Sequence, residues 1–137
     1  MKELKLDSGV ENMPSVRDFV CSELEKVGCA DMLAMPMKMA VDELFSNISY
    51  YAYDSGSGPV TVRFDFDESS SSVILSFIDK GKPYNPLEAE EPDVELEGEL
   101  RPIGGLGIFL VRNLMDDMSY EYKDGCNIVT LTKHTCP

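Results

Sequence analysis

Hydrophobic and polar positions divide the first half of the chain into a strand and two helices. Residues 2–7 alternate polar and apolar side chains, which predicts a short, half-buried strand. A first helix then ends at Gly28, and a second runs from about Asp31 to Tyr53, with Pro36 as an alternative first turn. The apolar positions on the first helix are Val16, Phe19, Val20, Leu24 and Val27; those on the second are Met32, Met35, Met39, Ala40, Leu44, Phe45 and Ile48.

In the second half of the chain, polar and apolar residues again alternate in the pattern of strands. Residues 59–67 and 73–79 read as two strands joined by a serine-rich turn, and residues 118–133 read as two more strands around an Asp-Gly pair at 124–125. A glycine-led helix lies between these hairpins, with Ile108, Val111, Leu114 and Met115 on one face. This order predicts an α+β fold: one mixed, largely antiparallel sheet covered on one face by helices.

One long segment follows neither period. From Lys80 to Ile103 the chain carries prolines at 83, 86, 92 and 102 and seven acidic residues between Glu88 and Glu99. A loop of this length inside a compact domain commonly has a function, and a lid over a site is a frequent one. We expect the seven carboxylates to face solvent.

Composition narrows the class of protein. A chain of 137 residues with 43% hydrophobic residues predicts one globular domain spanning 1–137. Its formal net charge of -13 disfavours nucleic acid and anionic membrane surfaces as partners, whereas a basic protein surface would be attracted. No signal peptide or membrane span is recognisable, and no cysteine pair has zinc spacing, so a cytoplasmic protein with reduced thiols is expected.

A polar patch interrupts the second helix. Glu43 and Asn47 lie four residues apart, which places both on one face. A carboxylate and an amide oxygen together suit magnesium and a hydroxyl to be polarised. Taken alone, the pair is better explained as an ordinary solvated helix face. His134 is the only histidine, and we expect no catalytic role for it.

Two glycine-bearing turns add further candidates. Asp79 ends a strand, where its carboxylate could accept a hydrogen bond from an exocyclic amine, and Gly81 would let the backbone pass close to a planar ligand. The GGLG stretch at 104–107 precedes a helix, whose free N–H groups could hold phosphate oxygens. Each turn by itself also has a purely structural explanation.

The three motifs together are more specific. AVDELFSNISYYAY at 40–53, FIDKGKPYNP at 77–86 and GGLGIFLVRNLMDDMSYEY at 104–122 resemble, in order and spacing, the anti-sigma-factor serine/threonine kinases of the GHKL (histidine-kinase-like) ATPase superfamily. The resemblance covers nearly the whole chain. It implies a Bergerat-type two-layer α/β sandwich that holds ATP between helices and a lid at about 86–104. Many members carry a histidine four residues after the magnesium-binding asparagine, where this chain has Tyr51.

The resemblance also implies roles for individual residues. Glu43 matches the catalytic base, and Asn47 matches the ligand of Mg²⁺. Asp79 matches the carboxylate that binds the adenine amine, and Gly81 matches the glycine of the turn beside the adenine ring. Arg101 is a candidate phosphate contact from the lid, or else an ordinary exposed arginine. The glycine box that meets the phosphates comprises Gly104, Gly105, Leu106 and Gly107.

Partners are implied in the same way. A family member phosphorylates a serine of an anti-anti-sigma (STAS-domain) protein, sequesters a sigma factor, and commonly acts as a homodimer. Three alternatives stay open at this stage: a nucleotide-gated sequestering module without phosphotransfer, a relative of histidine-kinase catalytic domains, and the same kinase acting on a target unrelated to sigma factors.

Overall fold

A computed structural model describes residues 1–54, 56–88 and 105–135, with side chains from Gly107 onward in the last range. The strands in these ranges are β1 (Lys2–Asp7), β2 (Pro59–Asp67), β3 (Ser72–Asp79), β4 (Asp117–Lys123) and β5 (Cys126–His134). The α-helices are α1 (Met13–Lys26), α2 (Ala30–Asn47) and α3 (Gly105–Leu114). A π-helical turn, Ile48–Ala52, extends α2.

The described strands form one sheet in the order β1-β2-β3-β5-β4, and all four pairings are antiparallel. The predicted α+β class is confirmed, and within the described strands the sheet is fully antiparallel. The last strand, β5, lies between β3 and β4. Its register places Asn127 directly opposite Asp79.

The core lies between one face of the sheet and the helices. Alternate residues of β2, β3 and β5 are buried and join the apolar stripes of the three helices in one cluster. This is the two-layer arrangement that the family resemblance implies. Among the described residues, no helix combines the length and the apolar character needed to cross a lipid bilayer.

The predicted apolar face of α2 was partly wrong. Met32, Met35 and Met39 are 62%, 70% and 37% exposed. The helix carries two apolar stripes, and the stripe that continues with i, i+3 and i+4 spacing into Ala40 and Leu44 is the one that packs on the sheet. The buried residues of α2 are Leu33, Met37, Ala40, Val41, Leu44 and Phe45. Pro36 lies inside the helix, so it does not mark the first turn.

Two turn predictions are confirmed. Gly28 follows α1 with φ +76°, the left-handed conformation that favours glycine after a helix. At the β4–β5 hairpin both Asp124 (φ +53°) and Gly125 (φ +77°) are left-handed, which matches the strand twist in two-residue hairpins.

Candidate functional site

Asp79 lies at the end of β3 and is only 6% exposed. Its Oδ1 accepts hydrogen bonds from the backbone N–H of Gly81 and from Asn127 Nδ2, both at 2.9 Å. Burial raises the pKa of Asp79 above its ordinary value of 3.8, although these two hydrogen bonds act in the opposite direction. The result is a rigidly held carboxylate in a poorly hydrated position, as recognition of a single polar group requires.

Gly81 is required by the close approach of two backbones. A Cβ at this position would lie 2.2 Å from the carbonyl oxygen of Ala52. The same oxygen accepts a 3.0 Å hydrogen bond from the N–H of Lys82. This hydrogen bond holds the π-helical turn after α2 against the turn after β3. A side chain at position 81 would push the two backbones apart.

Asn127 is a site residue that the sequence reading missed. Beyond its bond to Asp79, its Nδ2 donates to the carbonyl oxygen of Lys82 at 2.9 Å. Its Oδ1 accepts from the backbone N–H of Tyr84 at 3.0 Å and from the hydroxyl of Tyr120. The available signal was a polar residue in the inward series 127, 129 and 131 of an alternating strand, but only the strand order shows which carboxylate it meets.

A pocket opens between α2 and the adjacent strands β3 and β5. It is partly open to solvent, with mainly apolar walls and two buried polar side chains, Asp79 and Asn127. Apolar walls with a few fixed polar groups are typical of sites for flat organic ligands, and a purine base that donates from an exocyclic amine suits this one. The lining comprises Leu44, Asn47, Ile48, Ala52, Phe77, Asp79, Lys82, Tyr84, Pro86, Asn127 and Val129.

A second, more open pocket adjoins the first. Asn47, Lys82 and Tyr84 line both pockets, and Tyr51 and Pro83 complete the second. The two pockets therefore form one groove that passes from the buried pair Asp79 and Asn127 to solvent.

Glu43 and Asn47 share a face of α2 but point to different neighbours. Asn47 lines the groove, whereas the Glu43 carboxylate lies against the first turns of α3. A Cβ at Gly107 would be 1.8 Å from Glu43 Oε2 and 2.2 Å from its Cδ. The structure thus brings Glu43 of the predicted helix pair against Gly107 of the predicted glycine box, while Asn47 faces the groove.

The environment of Glu43 favours its protonated form. Partial burial is the larger cause of its raised pKa, and the negative charge of neighbouring Asp42 is the second. The carboxylate of Asp42 is itself paired with Arg17 of α1, whose Nε lies 2.6 Å from Asp42 Oδ1. A carboxylate with a raised pKa is better matched to accepting a proton near neutral pH.

The remaining predicted positions are described only in part, lie outside the described residues, or lie far from the groove. Gly105 and Leu106 lie in the first turn of α3, although only their backbone is described. Arg101, Gly104 and the predicted lid from residue 89 onward lie outside the described residues. His134 accepts or donates a 2.7 Å hydrogen bond with Ser72, at the opposite end of β3 from Asp79. The two ends are seven residue steps apart along the strand, about 23 Å.

A solved structure shares the fold of this chain. A structure of the RsbU and RsbW domains of Rv1364c from Mycobacterium tuberculosis superposes with a TM-score of 0.64 at 19% identity, over 98% of this chain and 32% of that one. At this identity the superposition shows the fold alone, and the present chain spans about a third of that protein.

Sequence relatives carry the comparison further. Serine/threonine-protein kinase BtrW of Bordetella bronchiseptica is 30% identical over 105 residues, which are 77% of this chain and 73% of the relative. Serine-protein kinase RsbW of Bacillus cereus is 25% identical over 134 residues, 96% of this chain and 83% of the relative. A family model described as a histidine kinase-like ATPase domain matches residues 6–133. The motif resemblance is therefore confirmed: the chain belongs to the histidine kinase-like ATPase domain family, in the group of protein kinases that includes BtrW and RsbW.

Proposed function

We propose that this chain binds Mg²⁺-ATP in the groove and transfers the γ-phosphoryl group to a serine of an anti-anti-sigma (STAS-domain) protein, and that it sequesters a sigma factor. The observation that carries this proposal is the contact between Glu43 and Gly107. It places a carboxylate of raised pKa at the glycine-led start of α3, one helical turn from Asn47.

The described residues fit a magnesium nucleotide. The buried carboxylate of Asp79 suits the adenine amine, and the N–H groups at the start of α3 suit phosphate oxygens. Asn47 would offer its amide oxygen to magnesium, an ion that takes few protein ligands and keeps water and phosphate oxygens around it. We assign Gly104 to the phosphates and the segment 86–104 to a lid on the family resemblance. We assign Arg101 to a phosphate contact from the lid because it is the only basic residue between Lys82 and Arg112 in the sequence.

In the transfer step, Glu43 accepts the proton of the attacking serine hydroxyl. The hydroxyl oxygen forms a bond to the γ-phosphorus while the bond from that phosphorus to the ADP oxygen breaks. When bound, magnesium supplies neutralisation of the charge on the phosphates. A raised pKa improves Glu43 as the acceptor at neutral pH.

Charge gives the transfer a regulatory consequence. The chain has a formal net charge of -13, so an approaching partner surface of positive charge is favoured. A phosphorylated serine carries a charge of about -1.5 to -2 at pH 7. Placed against this acidic kinase, the new charge would repel and release the phosphorylated partner, leaving the kinase free to bind a sigma factor. We propose a cytoplasmic homodimer for this exchange.

A thermal melt with and without Mg²⁺-ATP tests the nucleotide site first. Ligand at 100 times its dissociation constant should stabilise the folded chain by about 2.7 kcal/mol, a shift of several degrees. Asn47→Ala should lose the shift, while Asn113→Ala, which removes an amide from the exposed side of α3, should keep it. Absence of any shift for the native chain at millimolar Mg²⁺-ATP would refute nucleotide binding.

Phosphotransfer is tested separately with γ-labelled ATP and a panel of purified STAS-domain proteins. Glu43→Gln keeps the shape of the side chain but removes the base, so it should retain nucleotide binding and lose transfer. A Glu43→Gln variant that transfers at the native rate would remove Glu43 from the mechanism. Nucleotide and partner binding without transfer by the native chain would favour the sequestering module instead.

A further inference from the structure

Lys82 has an unusually well fixed backbone for a residue with an exposed side chain. Its N–H donates to the carbonyl oxygen of Ala52 at 3.0 Å, and its own carbonyl oxygen accepts from Asn127 Nδ2 at 2.9 Å. These bonds connect the backbone of Lys82 to the π-helical turn on one side and to β5 on the other. The side chain therefore starts from a defined point at the rim of the groove.

The side chain of Lys82 lines both the buried pocket and the open pocket. Among the described residues that line these two pockets, it is the only cation. Its Nζ lies 3.0 Å from Asp54 Oδ1, but the two side chains are 57% and 84% exposed. An ion pair this exposed contributes little and is readily exchanged for a stronger anionic partner.

The groove gives this cation a specific place along a bound nucleotide. Asp79 and Asn127 lie at the buried end, to which the proposed function assigns the adenine base. Asn47, the proposed magnesium ligand, lines both pockets. Lys82 reaches both pockets, and neither Asn47 nor Tyr84 offers a positive charge beside it. A nucleoside triphosphate entering a chain of net charge -13 is attracted by a positive charge at this point.

We propose that Lys82 is a nucleotide-binding residue whose ammonium group leaves Asp54 and contacts the sugar-phosphate part of the bound nucleotide. This inference rests on the proposed function, since it requires a nucleotide in the groove. Lys82 holds the ligand and takes no part in moving the proton.

Equilibrium binding of adenosine, AMP, ADP and ATP, measured by competition against a fluorescent nucleotide, tests the assignment. Lys82→Gln should weaken binding of the phosphorylated ligands about tenfold, the loss of one charge-assisted hydrogen bond, and leave adenosine affinity unchanged. The loss should shrink as salt is raised. Equal affinities for native and variant chains, or an equal loss for adenosine, would overturn the assignment.

Two matched variants distinguish a direct contact between Lys82 and the ligand from a structural role of Lys82 in the loop. Lys80→Gln removes an equal charge two residues from Lys82. Because Lys80 lines neither pocket, this variant should bind all four ligands as the native chain does. Asp54→Asn breaks the ion pair but keeps Lys82, so it should bind at least as tightly. If Asp54→Asn instead reproduces the loss, the ion pair supports the loop and Lys82 does not contact the ligand. Failure of the native chain to bind any nucleotide would refute the proposed function itself.

Discussion

The carboxylate of Glu43 lies directly over the Cα of Gly107, close enough that a methyl group there would sit 1.8 Å from Glu43 Oε2. One residue comes from the middle of α2 and the other from the first turns of α3. The absence of a side chain at 107 therefore sets the position of the proposed base. The two motifs act as one structural unit.

Gly107→Ala should consequently lower phosphotransfer while leaving the fold intact. The new methyl group must push the carboxylate aside, and a displacement of about 1 Å at a reacting group costs on the order of 100-fold in rate. We expect the rate constant for transfer at saturating ATP to fall by about 10 to 100-fold. Nucleotide affinity should change less.

A double-mutant cycle identifies the cause. Once the carboxylate is gone, in Glu43→Ala, the same Gly107→Ala change meets no obstacle and should stabilise α3 by about 0.5–1 kcal/mol in chemical denaturation, because alanine favours a helix over glycine. In the native background that gain should be reduced or reversed. Equal effects in both backgrounds would show that the contact does not constrain the carboxylate.

Asp42 should tune the pH dependence of transfer. Its negative charge is the second cause of the raised pKa of Glu43, and the base must be ionised to accept a proton. Asp42→Asn should lower that pKa and move the acidic limb of the rate profile to lower pH. Arg17→Gln removes the cation paired with Asp42 and should move the limb to higher pH. Shifts in the same direction would contradict this account.

Asp79→Asn should separate stability from binding. Because burial raises the folded-state pKa of Asp79, this group favours folding when it is protonated, and that contribution is lost as pH rises from 3.8 through the raised value. Asparagine can accept the same bonds from Gly81 and Asn127 without a buried charge. The free energy of unfolding at pH 7 should rise, and its decrease as pH increases through the acidic range should weaken.

Asp79→Asn should lower nucleotide affinity even though it raises stability. Loss of the charged acceptor for the adenine amine is expected to weaken binding by about 10 to 100-fold, the contribution of one hydrogen bond to a charged group. Titration calorimetry on both chains measures this directly. A variant that is less stable at pH 7 and binds normally would show that Asp79 serves the fold rather than the ligand.

Gly81→Ala should be the most damaging of these changes to the fold. Its Cβ would meet backbone, the carbonyl oxygen of Ala52 at 2.2 Å, which cannot rotate away as a side chain can. We expect a loss of about 2–4 kcal/mol in the free energy of unfolding, together with weaker nucleotide binding. Lys80→Ala, one residue earlier and exposed, is the control and should cost under about 0.5 kcal/mol.

The sequence predicted the elements well because the periodic signals were strong. The Asp124–Gly125 turn, the alternation in β2 and β5 and the stripe on α3 all have local causes, and all are confirmed. The stripe of α2 was misjudged where methionines occur on both faces. Local pattern cannot tell which of two apolar stripes meets the sheet, since that depends on the packing of other elements.

The candidate site was predictable only in part for a similar reason. Glu43, Asn47 and Gly107 could be nominated from the sequence because each lies in a contiguous motif. Asn127 was missed because its role arises from strand order, which places it beside Asp79 across 48 residues of chain. Lys82 was not considered because a single lysine in a loop carries no signal until the groove around it is known.

The insertion of β5 between β3 and β4 also orders events during protein synthesis. Asp79 and β4 are translated before Asn127, yet β4 has no place beside β3 because β5 occupies it. The buried end of the groove, with Asn127 holding Asp79, Lys82 and Tyr84 in position, is complete only after this strand leaves the ribosome and enters the sheet. A nascent chain lacking β5 would therefore have no nucleotide site, and competence to bind nucleotide would arise only once translation has passed this strand.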